Sequence, residues 1–149
     1  MAPDSQNVAG PDMRYAGASL TIDLDALKAN FAALAKVCTP SVTAGIVKAD
    51  AYGLGIDRVA PALAGAGCTR FFVALPEEGA AVRRAVPEAT IYVLNGLFSE
   101  ESGSLYLEDR LIAVLNSPVD IRLWETFCGV SGARLPCAIN IDTGMNRLG

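Results

Sequence analysis

The stretch RFFVALPEEGAAVRRAVPEATIYVL, Arg70 to Leu94, decides the fold class. Arg70–Leu75 is a short apolar run and reads as a strand. Pro76 follows at a helix start, where its missing N–H costs nothing. Glu77 and Glu78 fall in the first turn and Arg83 and Arg84 near the end, matching the helix dipole. Thr90–Leu94 is again an apolar run. Strand, helix and strand within 25 residues is the unit from which parallel α/β sheets are built.

Working outward, the same alternation repeats. Toward the amino terminus, Asp57–Ala66 reads as a helix closed by Gly67, and Ala44–Val47 as a strand ending at Lys48. Before them, Leu27, Phe31, Leu34 and Cys38 share one face of a helix that Pro40 stops. Asp23 or Asp25 is available to accept from the free amides at its start. Leu20–Asp23 is expected to be a short strand. Toward the carboxyl terminus, a helix is expected within residues 100–107, a strand at Leu111–Leu115, a helix at Pro118–Phe127 capped by Ser117, and a strand at Pro136–Ile141. A turn-like segment, Asp142–Gly149, ends the chain. The repeat of roughly 20–25 residues is close to that of an eight-unit barrel. The strands are continuous apolar runs, as expected when both faces are covered. Doubly wound sheets and β/α barrels both fit. No G-x-G-x-x-G and no P-loop motif follows a strand, so the cues for a dinucleotide or P-loop site are missing. Five parallel strands do not close an eight-stranded barrel. The expectation is therefore a fragment, or a sheet completed by other chain.

Composition narrows the chemistry. The 149 residues are 52% hydrophobic, with 12 Lys plus Arg against 16 Asp plus Glu, and mean hydropathy is +0.35. That is a folding composition, and no basic stripe suggests nucleic acid. No apolar run reaches transmembrane length. Residues 1–18 are polar with Pro and Gly. They lack the basic start and apolar stretch of a secretory signal, so a loose tail and a cytoplasmic chain are expected, with residues 19–149 forming the folded part. Cys38, Cys68, Cys128 and Cys137 form no C-x-x-C pair and are expected to be reduced and buried. No histidine is present. This removes the commonest transition-metal ligand and the commonest general base, and no metal site is expected.

Two segments follow strands on what should be one face. In GIVKADAYGLG, Gly45 to Gly55, a lysine stands at a buried strand end, an unusual place for a strongly hydrated charge. Desolvation there favours a neutral amine, the form that attacks an aldehyde. Taken alone, a lysine turned to solvent is the commoner reading, and Gly53 and Gly55 are compatible with a plain turn. In NIDTGMNRLG, Asn140 to Gly149, Arg147 offers a planar donor fork suited to a carboxylate. Taken alone, an ordinary surface arginine near the chain end is the commoner reading.

Together these segments resemble the alanine racemase family. IVKADAYGLG is similar to its cofactor-lysine segment and DTGMNRLG to its mid-barrel arginine segment, in the same order and separation. VALPEEGAAVRRA, IYVLNG and TIDLDALKANFAAL resemble the second strand region, the third strand, and the opening strand with its helix. The resemblance covers about Leu20 to Gly149. It implies the amino-terminal part, about the first five βα units, of a (β/α)8 TIM-type barrel of the fold-type III pyridoxal-phosphate class. It implies a cytoplasmic, homodimeric isomerase that interconverts L- and D-alanine and supplies D-alanine for peptidoglycan.

By the same resemblance, Lys48 forms a Schiff base with pyridoxal phosphate and, once freed by substrate, acts as a base at the α-carbon. Tyr52 matches the position whose hydroxyl contacts the cofactor phosphate. Leu94 matches an apolar wall beside the cofactor, and Arg147 the arginine near the cofactor's phenolic oxygen and the substrate carboxylate. A tyrosine beyond Gly149, contributed by a partner subunit, is the second base. The 149-residue chain alone is expected to be inactive.

Two residues depart from the pattern. Where the family often has a lysine that can be carbamylated, this chain has Asn140. The expectation is an anion, chloride for example, holding Arg147 together with Asn140. Many members have histidine where Leu54 stands. Other readings are a decarboxylase or D-amino-acid aldolase of the same barrel class, a protein that buffers pyridoxal phosphate, and a plain α/β domain. The buffering proteins keep the lysine but lack the arginine motif.

Overall fold

The computed structural model describes residues 17–99 and 101–149. Residues 1–16 of the expected tail lie outside the described residues.

Helix α1 (Leu24–Val37) opens the fold, with Asp23 Oδ1 accepting from the N–H groups of Asp25 and Ala26, both at 2.9 Å. Strand β1 (Gly45–Ile46) leads into a single turn, α2 (Lys48–Tyr52), and helix α3 (Ile56–Gly65). Then come β2 (Arg70–Val73), α4 (Pro76–Ala85), β3 (Thr90–Val93), α5 (Gly103–Glu108), β4 (Ile112–Leu115), α6 (Pro118–Ser131) and β5 (Cys137–Ile139). The five strands form one sheet in the order β1-β2-β3-β4-β5, every pair parallel. Sequential parallel strands joined by helices are the arrangement of a β/α barrel and not of a doubly wound sheet, whose order reverses. The fold is a partial (β/α)8 barrel.

Alternation along the strands assigns the two faces. Phe71, Val73, Ile91, Val93, Ala113 and Leu115 are buried against the helices. Phe72 and Tyr92 point to the other, concave face, where their rings stack at 4.7 Å with an interplanar angle of 13°. The two ends of the sheet are built differently. At the end where the strands begin, the Arg83 guanidinium donates to the carbonyls of Asp109 (2.8 Å), Pro87 (2.6 Å), Ala89 (2.7 Å) and Arg110 (3.2 Å). Burial, and next the neighbouring Arg110, push its pKa down from the usual guanidinium value. At the end where the strands finish, the loops carry the chemistry-bearing residues.

Three expectations are corrected. Leu20–Asp23 forms no strand: Leu20 is 82% exposed and no strand of the sheet pairs with the segment. Its apolar alternation was a true pattern without a partner, and Asp23 serves instead as the cap of α1. On α1 only Phe31 is buried, with Leu27 packed partly beneath it, while Leu34 and Cys38 are exposed. The helix contacts α3 alone among its larger neighbours, so a narrow stripe suffices. Of the cysteines, Cys68 is buried and Cys128 half-buried, but Cys38 and Cys137 are exposed; all four are free. The helix expected within residues 100–107 spans Gly103–Glu108, and Glu100 lies outside the described residues.

Candidate active site

The backbone directly after Lys48 is left-handed. Ala49 and Asp50 (both φ 52°, ψ 50°) and Ala51 (φ 55°, ψ 45°) lie in the αL region, as does Tyr52 at φ 56°. Gly53 continues the turn at φ 81°. For L-residues this conformation costs about 1–2 kcal/mol each, so consecutive examples persist only where the surroundings impose them. Hydrogen bonds supply that constraint. Val47 N donates to Phe72 O, fixing the end of β1, and Ala51 N donates to Val47 O, both at 2.9 Å. Asp50 Oδ1 accepts from Ile56 N at 2.7 Å, tying the turn to α3. Glu78 Oε1 accepts from Ala49 N at 2.5 Å. Ala51 is buried under the turn. Lys48 is therefore not the last residue of a strand, as expected, but the first residue of a strained turn that follows it.

The concave face holds a cleft of about 770 Å³, a size typical of small-molecule sites. Lys48, Leu94, Asn140 and Arg147 all line it, above the Phe72–Tyr92 stack. Three of the four site residues expected from sequence thus meet in one cavity. Tyr52, the fourth, is 62% exposed and lies outside the lining.

The far wall is organised by amides. Asn116 Nδ2 donates to Leu94 O at 2.9 Å, and Asn116 Oδ1 accepts from Asn140 Nδ2 at 2.9 Å. Asp120 Oδ2 fixes Asn116 through its backbone N–H at 2.9 Å. No direct hydrogen bond joins Asn140 to Arg147 among the described residues; the Asn140 side chain is turned to Asn116. Arg147 stands on a turn shaped by Asp142, whose Oδ1 accepts from Gly144 N at 2.8 Å. Hydrogen bonds from the backbone of Gly144, and next Asn146, hold the Asp142 carboxyl below its ordinary pKa. Behind the loop that follows β3, Tyr106 is fully buried and donates from its hydroxyl to Gly96 O at 2.6 Å. Burial pushes its phenol pKa well above the usual value.

Sequence reasoning missed Asn116, and it read Glu78 only as a charge suited to a helix start. Both act across separations of more than 20 residues. A polar residue directly after an apolar strand was the one local signal for Asn116. No group of His, Cys, Asp and Glu able to hold a metal occurs among the described residues. No helix of the described residues is long and apolar enough to cross a membrane.

Comparison with known proteins identifies the family. Residues 22–149 match the family model described as alanine racemase, N-terminal domain. The chain is 52% identical over 133 residues to the alanine racemase of Methylobacterium sp. (strain 4-46), covering 89% of this chain and 36% of that protein. It is 47% identical over 135 residues to the alanine racemase of Brucella melitensis, covering 90% and 34%. Among solved structures, alanine racemase from Bartonella henselae, with covalently bound pyridoxal phosphate, superposes with a TM-score of 0.77 at 40% identity, over 86% of this chain and 36% of that one. The enzyme from Streptomyces lavendulae superposes with a TM-score of 0.76 at 27% identity, over 86% and 33%. The chain spans about a third of the length of these relatives. A half-barrel of this strand order, with a lysine and an arginine on facing loops of one cleft and a match that runs to its last residue, belongs to the alanine racemase family, of which it carries the N-terminal domain sequence.

Proposed function

We propose that this chain forms the cofactor-holding part of a homodimeric alanine racemase, with Lys48 as the residue bonded to pyridoxal phosphate. The observation that carries the reading is the convergence of Lys48, Leu94 and Arg147 on one cleft. The residues present suit the cofactor. An amine is placed to condense with an aldehyde, Leu94 and the stacked Phe72 and Tyr92 offer apolar surface to a flat ring, and a guanidinium offers a fork to an anion.

When bound, the cofactor withdraws electron density from the substrate α-carbon, which lets its proton leave. This chain's own residues serve one face of the α-carbon and hold the substrate. The Lys48 amine takes a proton from one face of the α-carbon or returns one to it. Arg147 holds the substrate carboxylate, and among the described residues no carboxylate lies in salt-bridge distance to compete for it. Tyr52, carried on the left-handed turn that follows Lys48, is assigned to the cofactor phosphate. We assign to Arg147 a small anion such as chloride, shared with the second N–H of Asn140 Nδ2.

The test is spectroscopic first and chiral second. Adding pyridoxal phosphate should give an absorbance band near the visible that Lys48→Ala abolishes. A protein with a complete barrel should convert L-alanine to D-alanine. A band that survives Lys48→Ala overturns the assignment, and a persistent lack of D-alanine with a normal band favours a cofactor-buffering protein or another reaction class.

A further inference from the structure

The first N–H groups of the left-handed turn, that of Ala49 among them, find no backbone acceptor within it. Within the turn, Ala51 N pairs with Val47 O and Gly53 N with Ala49 O. The Ala49 N–H, adjacent to Lys48, has no such acceptor. A side chain from another loop supplies it: Glu78 Oε1 accepts from Ala49 N at 2.5 Å. The second oxygen of the same carboxylate accepts from Ala74 N at 2.8 Å and Leu75 N at 3.1 Å, at the end of β2. One carboxylate therefore joins the loops that leave two neighbouring strands. Its own base is rigid, since Glu78 stands in the first turn of α4 and Pro76 beside it is fully buried.

We propose that Glu78 is the positioning residue for Lys48, acting through the Ala49 amide to set where the lysine amine stands over the cleft. The proposal rests on reading Lys48 as the cofactor lysine. The need is for a carboxylate of this length. Glutamine has one acceptor oxygen and serves one loop, leaving an N–H of the other facing an amide NH₂. Aspartate keeps two acceptors and can still cap its own helix, but it is one methylene short of the neighbouring loop.

The experiment uses the intact enzyme that carries this chain and compares Glu78→Gln and Glu78→Asp with Val82→Ala. Val82 is fully buried on the same helix and makes none of the clamp's hydrogen bonds, so its truncation destabilises while leaving the carboxylate in place. Three readouts are taken: the thermal midpoint, hydrogen exchange at the Ala49 amide without cofactor, and the rate and affinity with which added pyridoxal phosphate produces its Lys48-dependent band. Glu78→Asp should exchange faster at Ala49, and both Glu78 variants should bind the cofactor about tenfold more weakly or slowly. Val82→Ala should lower the midpoint and leave the other two readouts unchanged. Faster exchange with unaltered cofactor binding overturns the positioning role and leaves the function intact. So does an equal loss of binding in Val82→Ala at a matched midpoint. A wild-type protein with no Lys48-dependent band overturns both readings.

Discussion

Asn140 donates from Nδ2 to Oδ1 of Asn116 at 2.9 Å, linking the loops after the fourth and fifth strands by their side chains. Asn116 passes the connection on to Leu94 O, so three successive strand ends are coupled at the cleft mouth. Replacing Asn116 by alanine should leave the Leu94 carbonyl and the Asn140 amide unpaired in a half-buried place. The expected cost is about 1–3 kcal/mol, read as a lower denaturant midpoint. A midpoint equal to wild type means that the relay holds nothing.

Tyr106 gives a pH signature. Its folded-state pKa is raised by burial, so below the ordinary value of 10.0 the group is protonated in both states and its contribution is complete. As pH rises past 10.0 the unfolded chain loses the proton first, and stability falls with increasing pH. Wild type should therefore unfold more steeply in alkali than Tyr106→Phe. The variant also lacks the bond to Gly96 O and should be about 1 kcal/mol less stable at neutral pH. Parallel pH profiles above 10.0 contradict this assignment.

Two glycine substitutions should act in opposite directions. Neither Gly53 nor Gly65 has an atom within 4 Å of an added Cβ, so conformation alone decides. Gly53 has φ 81°, and Gly53→Ala should cost about 1–2 kcal/mol. Gly65 ends a right-handed helix, and Gly65→Ala should add about 0.4–1 kcal/mol. Thermal unfolding of the pair checks the left-handed turn without any cofactor.

The 149-residue chain purified alone is expected to show no turnover of L-alanine in a chiral assay. Racemisation needs a proton moved on each face of the α-carbon, and the cleft brings the Lys48 amine to one of them. Measurable D-alanine from the isolated chain would place the second base within it.

The alternation of β and α elements was legible because it is written locally. Apolar runs marked β2, β3 and β4, Pro76 and Pro118 marked helix starts, and Asp23 and Ser117 behave as the caps their residue types suggest. The left-handed turn was not legible. Ala49, Asp50 and Ala51 carry no sign of positive φ, and only Gly53 hints at it; their conformation is imposed by partners elsewhere in the fold. Glu78 and Asn116 escaped for the same reason, since each reaches a backbone group far away in sequence. Lys48, Leu94 and Arg147 were found through long motifs, and their meeting in one cleft follows from sharing the same end of a parallel sheet.

The Arg83 guanidinium, holding four carbonyls where the strands begin, separates two tasks that many folds must mix. Because that rivet gathers the undersides of neighbouring βα units, strand spacing there does not depend on what the opposite rim is doing. A change in the rim's loops leaves those four bonds in place. Damage to the rivet should instead spread to every unit that it joins.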